Sequence, residues 1–307
     1  MKITNEMVTE IAKGLGFDLI GFAKAEELTD ETTHLEKWLE LKYHGDMEYM
    51  QRNFEKRKDV SKILPDAKSI ISLGMNYYTN EQYSPQKDKG KISRYAWGKD
   101  YHLIIWEKLE KFESKLKEVD PSFESISYVD TGPVMDKAWA VKAGLGWLGK
   151  HTNVINKELG SWIFLVTIIT NYEFDYSSPI QDFCGSCTAC IEACPTGAIV
   201  DEYILDATRC ISYLTIENKR EISEKFIGKF DDWLFGCDIC QDVCPWNIKF
   251  SKDSGVQEFY PVNENKEINL DEVLNMDEAE FKDRFKESPV KRTKLKGLKR
   301  NAAFLKM

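Results

Sequence analysis

The residues best equipped for chemistry are eight cysteines, and all of them lie between Cys184 and Cys244 in a chain of 307 residues. They read Cys184-x-x-Cys187-x-x-Cys190-x-x-x-Cys194-Pro195, then a lone Cys210, then Cys237-x-x-Cys240-x-x-x-Cys244-Pro245. In such a run three cysteines grip one iron–sulfur cube and the fourth, before proline, reaches across to a second. Eight thiolates fill two [4Fe–4S] clusters with none left over. The crossed pattern assigns Cys184, Cys187, Cys190 and Cys244 to one cluster, and Cys194, Cys210, Cys237 and Cys240 to the other. The short residues Gly185, Ser186, Thr188 and Ala189 let the backbone come close to the metal. A zinc ribbon would use two separated pairs per ion, and a disulfide framework belongs to small secreted domains. Three consecutive cysteines ending in Cys-Pro, beside a second such set, fit neither.

With 42% hydrophobic and 12% aromatic residues, 307 residues can bury a large core in about two domains. The start, Met1 to Glu6, has no signal-peptide core, and no apolar run approaches the ~20 residues that span a bilayer. A cytoplasmic, membrane-free protein is expected, in a compartment where thiolates stay reduced. The net charge of −9 opposes a general attraction for nucleic acid. Yet Ser288 to Met307 contains no acidic residue and carries Lys291, Arg292, Lys294, Lys296, Lys299, Arg300 and Lys306. Such a run is either a solvated tail or a phosphate-contacting patch driven by counterion release.

The elements that must position this chemistry follow from periodicity. Residues 1–60 read as mainly helical, through Val8, Ile11 and Leu15 and then Leu35, Trp38, Leu39 and Leu41, with a short strand at 17–22. Arg52, Lys56, Arg57 and Lys58 form a basic helix face. Ser69–Met75 is an apolar strand, and 76–90 has no clear assignment. Ser93–His102 has the aromatic and polar density expected around a flat, hydrogen-bonding ligand. Ile105, Trp106, Leu109, Phe112 and Leu116 form a core-facing helical stripe. Ile126–Val129 is a strand that delivers Asp130 at its C-terminal end, after which Thr131 caps, and Pro133 opens, a helix from Val134 to Gly144. Gly144, Gly146 and Gly149 follow a helix, so they are no dinucleotide fingerprint. Trp162–Thr170, apolar on both faces, is a central strand. The fold class is α+β: an N-terminal α/β domain (1–175), a ferredoxin-like two-cluster module (176–250) and a helical, basic C-terminal segment (251–307) with a helical pattern near Leu270 to Phe285.

Clusters pass single electrons, so a large cysteine-free domain beside them holds a redox acceptor: a flavin, a corrinoid or a partner protein's cofactor. Spacing alone does not choose among these, and an electron-transfer protein serving a partner stays open. Taken together, Tyr128-Val129-Asp130-Thr131-Gly132-Pro133, Gly144-Leu145-Gly146-Trp147-Leu148-Gly149-Lys150, Gly160-Ser161-Trp162, the cysteine sets and Gly297-Leu298-Lys299-Arg300-Asn301-Ala302-Ala303 closely resemble the epoxyqueuosine reductase family, over essentially the whole chain.

The resemblance implies base-off cobalamin in the N-terminal domain, fed by two [4Fe–4S] clusters, and reduction of epoxyqueuosine at the tRNA wobble position to queuosine. Removing an epoxide oxygen takes two electrons and protons, so one-electron clusters need a two-electron nucleophile between them and the substrate, a role reduced cobalt can fill. Asp130 would give the proton; at a helix N-terminus the dipole favours its ionised form, so that role requires burial against the corrin or substrate to raise its pKa. An Asp before Thr-Gly-Pro is otherwise a turn or cap residue. Arg57, Trp97, Asp130, Lys150, Ser161, Trp162, Ser212 and Tyr213 are candidates for the cofactor shell. Asp100-Tyr101-His102 begins an Asp-x-His-x-x-Gly cobalt-ligand pattern but Ile105 breaks it, so no histidine ligand is expected. Lys219, Arg220, Lys291, Arg292, Lys294, Lys296, Lys299 and Arg300 are candidate tRNA phosphate contacts, with the target nucleotide turned out of its loop. An external low-potential electron donor and a monomeric state complete the expectation. Longer family members continue into helical repeats after Arg-Asn-Ala-Ala, where this chain stops. Corrinoid-dependent reductive dehalogenases share the cofactor logic but usually carry an export signal absent here.

Overall fold

The longest apolar runs become the middle of a four-stranded sheet. In this computed structural model, which describes residues 2–86 and 88–307, the strands of the first half are β1 (Leu19–Lys24), β2 (Ser69–Asn76), β3 (Lys89–Ile92), β4 (Ser125–Tyr128), β5 (Trp147–Leu148), β6 (Val154–Ile155) and β7 (Ile163–Thr170). The main sheet has the order β1-β2-β7-β4, and every neighbouring pair is antiparallel. Side chains alternate between its faces. Ile71, Leu73, Met75, Phe164, Val166 and Ile168 point to one face, where α1 (Asn5–Gly14) contributes Val8 and Ala12. Ile70 and Ile169 point to the other, beside Leu28, which precedes α2 (Thr29–Glu40), and Val60, which follows α3 (Phe54–Lys58). The first face is completed by α4 (Tyr101–Val119), and the second by α5 (Asp136–Lys142) with Trp139 and Ala140. Covered on both sides, β2 is buried along its whole length. Each large side chain sealed there contributes about 1.5–3 kcal/mol.

Local chemistry sets the ends of these elements. The Thr4 hydroxyl accepts from the Met7 N–H to cap α1, and Gly16 takes φ +89° just beyond its last turn. On α4 the buried stripe is Ile105, Leu109, Phe112 and Leu116. Trp106, expected on that stripe, is exposed, because one residue beyond Ile105 lies about 100° around the helix. The segment after β4 also departs from expectation. The helix begins at Asp136, six residues beyond Asp130, with Met135 in the cap position and no side-chain cap from Thr131. Asp130 therefore stands in a loop, at φ +55°, outside the first helical turn where a macrodipole acts. Since the strands are antiparallel, the carboxyl-edge rule for parallel sheets does not place it either.

The cysteine-bearing half adds β8 (Ile199–Asp201), β9 (Ile204–Leu205), β10 (Trp233–Phe235) and β11 (Glu267–Asn269). A second sheet, ordered β10-β3-β11, takes one strand from each of the three predicted segments. The C-terminal helix Lys294–Leu305 buries Leu295, Leu298 and Ala302 in the core around that sheet, beside Leu234 and Ile268. The last fifty residues thus wrap both other segments. Among the described residues no helix is long and apolar enough to cross a membrane.

Candidate active site

The eight cysteines are all free thiols and gather around two cavities. Cys184, Cys187, Cys190 and Cys244 line one of about 160 Å³. Cys194, Cys210, Cys237 and Cys240 line a larger one of about 340 Å³. The crossing has a backbone cause. A residue before proline is pushed out of the helical region, and Cys194 (φ −70°, ψ 106°) and Cys244 (φ −68°, ψ 122°) are extended where their short helices end or begin. Each is thereby turned from its own run toward the other set. Short helices at Ala189–Ala193 and Ile239–Asp242 carry Cys190 and Cys240 and pack together.

The donor set suits iron. Burial and the neighbouring Cys244 and Cys184 push the Cys190 thiol up to about 11, and burial with adjacent thiols pushes Cys237 and Cys240 well above the usual range. Four such thiols in a dry pocket become thiolates together only around cationic metal. Backbone N–H groups already face the sulfurs: Ala198 donates to Cys194 Sγ at 3.2 Å, and those of Ser212 and Tyr213 face Cys210.

The opposite walls of the larger cavity come from the sheet domain and include Tyr77, Tyr95, Lys137, His151, Asn153 and Ser161. Lys137, on α5, donates from Nζ to the Thr152 carbonyl and Asn153 Oδ1, each at 2.9 Å. Lys137 itself remains exposed to solvent. The His151 imidazole is held neutral to about pH 4 by burial and by the Lys137 charge. Neither was singled out from sequence: a lysine on a helix and a histidine after Gly-Lys are unremarkable until tertiary packing brings them to one cavity wall. Ser161 Oγ donates to Gln241 Oε1 and accepts from Asn247 Nδ2, both at 2.8 Å, and so ties the sheet domain to the cysteine module. Ser212 also lines this cavity.

Asp130 is exposed, and the Tyr101 hydroxyl donates to its Oδ2 at 2.8 Å. The Tyr101 ring stacks on Phe164 at 4.0 Å and meets Tyr95 edge-on at 6.3 Å, so one ring separates it from the cavity wall. Asp136 receives a hydrogen bond from Thr167 Oγ1 at 2.5 Å. Burial, reinforced by the nearby Asp130, pushes its carboxyl up to about 7. Two carboxyl groups in different environments thus bracket the loop.

The other candidate shell residues make structural contacts of their own. Arg57 is buried, but its guanidinium donates to the Val134 carbonyl at 3.0 Å and the Tyr49 carbonyl at 3.2 Å, bracing the segment after Asp130. Trp97 is wholly buried, donates to the Ile92 carbonyl at 2.6 Å and supports the Arg94 guanidinium at 4.6 Å. Trp162 is likewise core, edge-on behind Tyr77. The Tyr213 hydroxyl accepts from the Asp46 N–H at 2.7 Å, where Gly45 leaves it room. Lys150 belongs to the smaller cavity, donating to the Gly185 carbonyl and pairing with Glu202, each at 2.6 Å.

The basic residues also divide. Lys219, Lys294 and Lys296 are exposed, and Lys299 is half-buried. Arg220 pairs with Asp46 at 3.1 Å, Lys291 with Asp100 at 2.8 Å and Arg292 with Glu217 at 2.5 Å. Arg300 turns inward, donating to the carbonyls of Leu214, Asn218 and Arg220 at 2.5–2.8 Å. Its guanidinium is engaged by the protein at and just beyond the end of the helix after Cys210.

Comparison with known proteins gives this geometry a setting. A family described as "4Fe-4S double cluster binding domain" matches residues 183–247, and one described as "Epoxyqueuosine reductase QueG, DUF1730" matches residues 57–131. The chain is 48% identical to the epoxyqueuosine reductase of Leadbetterella byssophila over 100% of this chain and 99% of that one. To that of Cellulophaga algicola it is 46% identical over 98% of each. A solved epoxyqueuosine reductase with an epoxyqueuosine-modified tRNA-Tyr stem loop superimposes with TM-score 0.91 at 35% identity, over 98% of this chain and 80% of that one. The Bacillus subtilis enzyme, captured with an aspartate-bearing catalytic loop swung out of its active site, gives 0.90 at 34% identity with the same coverage. With its double-cluster module and near-complete likeness to these relatives, the chain belongs to the epoxyqueuosine reductase family.

Proposed function

We propose that this enzyme removes the epoxide oxygen of epoxyqueuosine in tRNA to leave the alkene of queuosine. The oxygen departs as water, consuming two electrons and two protons. The observation that carries the reading is the larger cavity. One cysteine set forms one of its walls, and Tyr95 on another wall leads through Tyr101 to Asp130. Base-off cobalamin bound there would supply a cobalt centre that holds two electrons and attacks carbon.

The chain's own residues supply the rest. Lys137, Asn153 and Ser161 offer polar groups to a ligand in the cavity. His102 is held through Nδ1 by Asp100 at 2.8 Å, and His151 Nδ1 accepts the Asn153 N–H, which leaves Nε2 protonated as a donor. Asp130 gives a proton to the epoxide oxygen, and the Tyr101 hydroxyl, packed against Tyr95 of the cavity wall, holds its carboxyl by a hydrogen bond. Asp136, protonated to about pH 7, is a second proton store close enough to raise with its neighbour's charge. Lys219, Lys294 and Lys296 meet tRNA phosphates beside the turned-out nucleotide. Electrons come from an external low-potential donor in the cytoplasm, and the enzyme works as a monomer.

The test is anaerobic reconstitution with iron, sulfide and cobalamin, followed by mass analysis of tRNA nucleosides. Wild type converts epoxyqueuosine to queuosine and Asp130→Asn loses most of the rate. Wild type that is loaded with both cofactors yet forms no queuosine overturns the function, and full activity in Asp130→Asn removes that residue from its role.

A further inference from the structure

One side chain, His151, lies on the linings of both cavities, the only one shared by them among the described residues. It is 4% exposed. Its Nδ1 accepts the backbone N–H of Asn153 at 3.2 Å. A neutral imidazole that accepts at Nδ1 carries its proton on Nε2. That Nε2 is buried and finds no partner in the protein, so a donor is aimed into space that the protein leaves for another group. The absence of a side chain at Gly149 lets the ring lie close to the backbone there: a Cβ would stand 3.1 Å from His151 Cε1. The preceding residue is pinned as well, with Lys150 Nζ on the Gly185 carbonyl at 2.6 Å and the Lys150 carbonyl accepting from the Tyr203 N–H at 3.2 Å.

We propose that His151 donates its Nε2–H to a sulfur of one of the two clusters and thereby raises that cluster's reduction potential. The inference rests on the two-cluster reading. Its physical basis is that a reduced cluster carries more negative charge on its sulfurs, so a fixed N–H dipole stabilises the reduced form more than the oxidised one. His151 is a positioning and tuning residue: it touches neither the epoxide nor the proton transferred to it.

Two measurements test this on the cluster-loaded enzyme. In wild type labelled with 15N-histidine and partly reduced, pulsed EPR is expected to show 15N coupling to a reduced cluster, and His151→Gln abolishes the coupling. In potentiometric titrations His151→Met is expected to shift one cluster toward the oxidised form by roughly tenfold at a given potential, ~59 mV for a one-electron couple. His151→Gln, which keeps an N–H, restores most of the shift, and the cluster that moves is the one His151 serves. Loaded wild type without histidine coupling overturns the inference whether or not the variants fold, as do unchanged potentials in His151→Met. Wild type that takes up no iron or sulfide instead removes the two-cluster reading, and the inference with it.

Discussion

The contact most directly tied to the chemistry is the hydrogen bond from Tyr101 to Asp130, and Tyr101→Phe isolates it. The ring is buried and stacked, on Phe164 at 4.0 Å and on His102 at 4.1 Å, so phenylalanine keeps the packing and loses only the hydroxyl. Burial and the Asp130 charge raise the pKa of that hydroxyl far above its ordinary value, so it is a donor at every working pH. A hydrogen bond to a carboxylate is worth about 1.5–3 kcal/mol. Asp130 is otherwise exposed on its loop, so the loss falls on the fraction of enzyme in which the carboxyl is held in place. At about 1.4 kcal/mol per decade, the rate of epoxide reduction should drop ~10- to 150-fold.

Single-turnover formation of queuosine by anaerobically loaded enzyme measures that drop, with cluster and cobalamin content checked alongside. Because Tyr101 acts through Asp130, adding Tyr101→Phe to Asp130→Asn should cost little more than Asp130→Asn alone, a non-additivity expected of groups working as a unit. A Tyr101→Phe enzyme within twofold of wild type, or a double variant whose losses simply multiply, refutes the assignment.

Other expectations follow from the same contacts. Asn301 Nδ2 bonds the Thr215 carbonyl at 2.8 Å and the Leu234 carbonyl at 3.0 Å; Asn301→Leu strands the latter and should cost ~1–3 kcal/mol in denaturant unfolding, with iron lost from the set that includes Cys210. Asp136 has a folded pKa of about 7 against an ordinary 3.8, so its contribution to stability is complete below 3.8 and lost as pH rises to about 7. Asp136→Asn should flatten that slope, and a wild-type-minus-variant difference that ignores pH across this window counts against it. Lys296→Gln should weaken tRNA binding uniformly and lower its salt slope by about one, whereas Arg300→Gln should lower thermal stability and leave the salt slope alone; the opposite pairing would reverse their roles.

What could be read from the chain without coordinates was what is local. Cluster ligands announce themselves because Cys-x-x-Cys is a turn and Cys-Pro a backbone constraint, both complete within a few residues. The strands at 69–76 and 163–170 were legible because burial on both faces demands an unbroken apolar run. The second sheet was not: β3, β10 and β11 have three or four residues each, and Lys91 pairs with both Trp233 and Glu267. No period survives in strands so short, and the partners lie more than a hundred positions away. Charge misled for a related reason. Sequence shows that Arg57, Arg292 and Arg300 are cationic, but whether a guanidinium meets solvent, a carboxylate or a carbonyl depends on which distant backbone arrives beside it. At Arg300 the arriving backbone is the end of the helix after Cys210, whose orphan carbonyls need donors. A five-donor fork answers one of them, at Leu214, together with two carbonyls of the chain just beyond, at Asn218 and Arg220. The Arg-Asn pair near the C-terminus therefore ties the last helix to the helix that follows Cys210, a contact with backbone that the charge of Arg300 alone does not reveal.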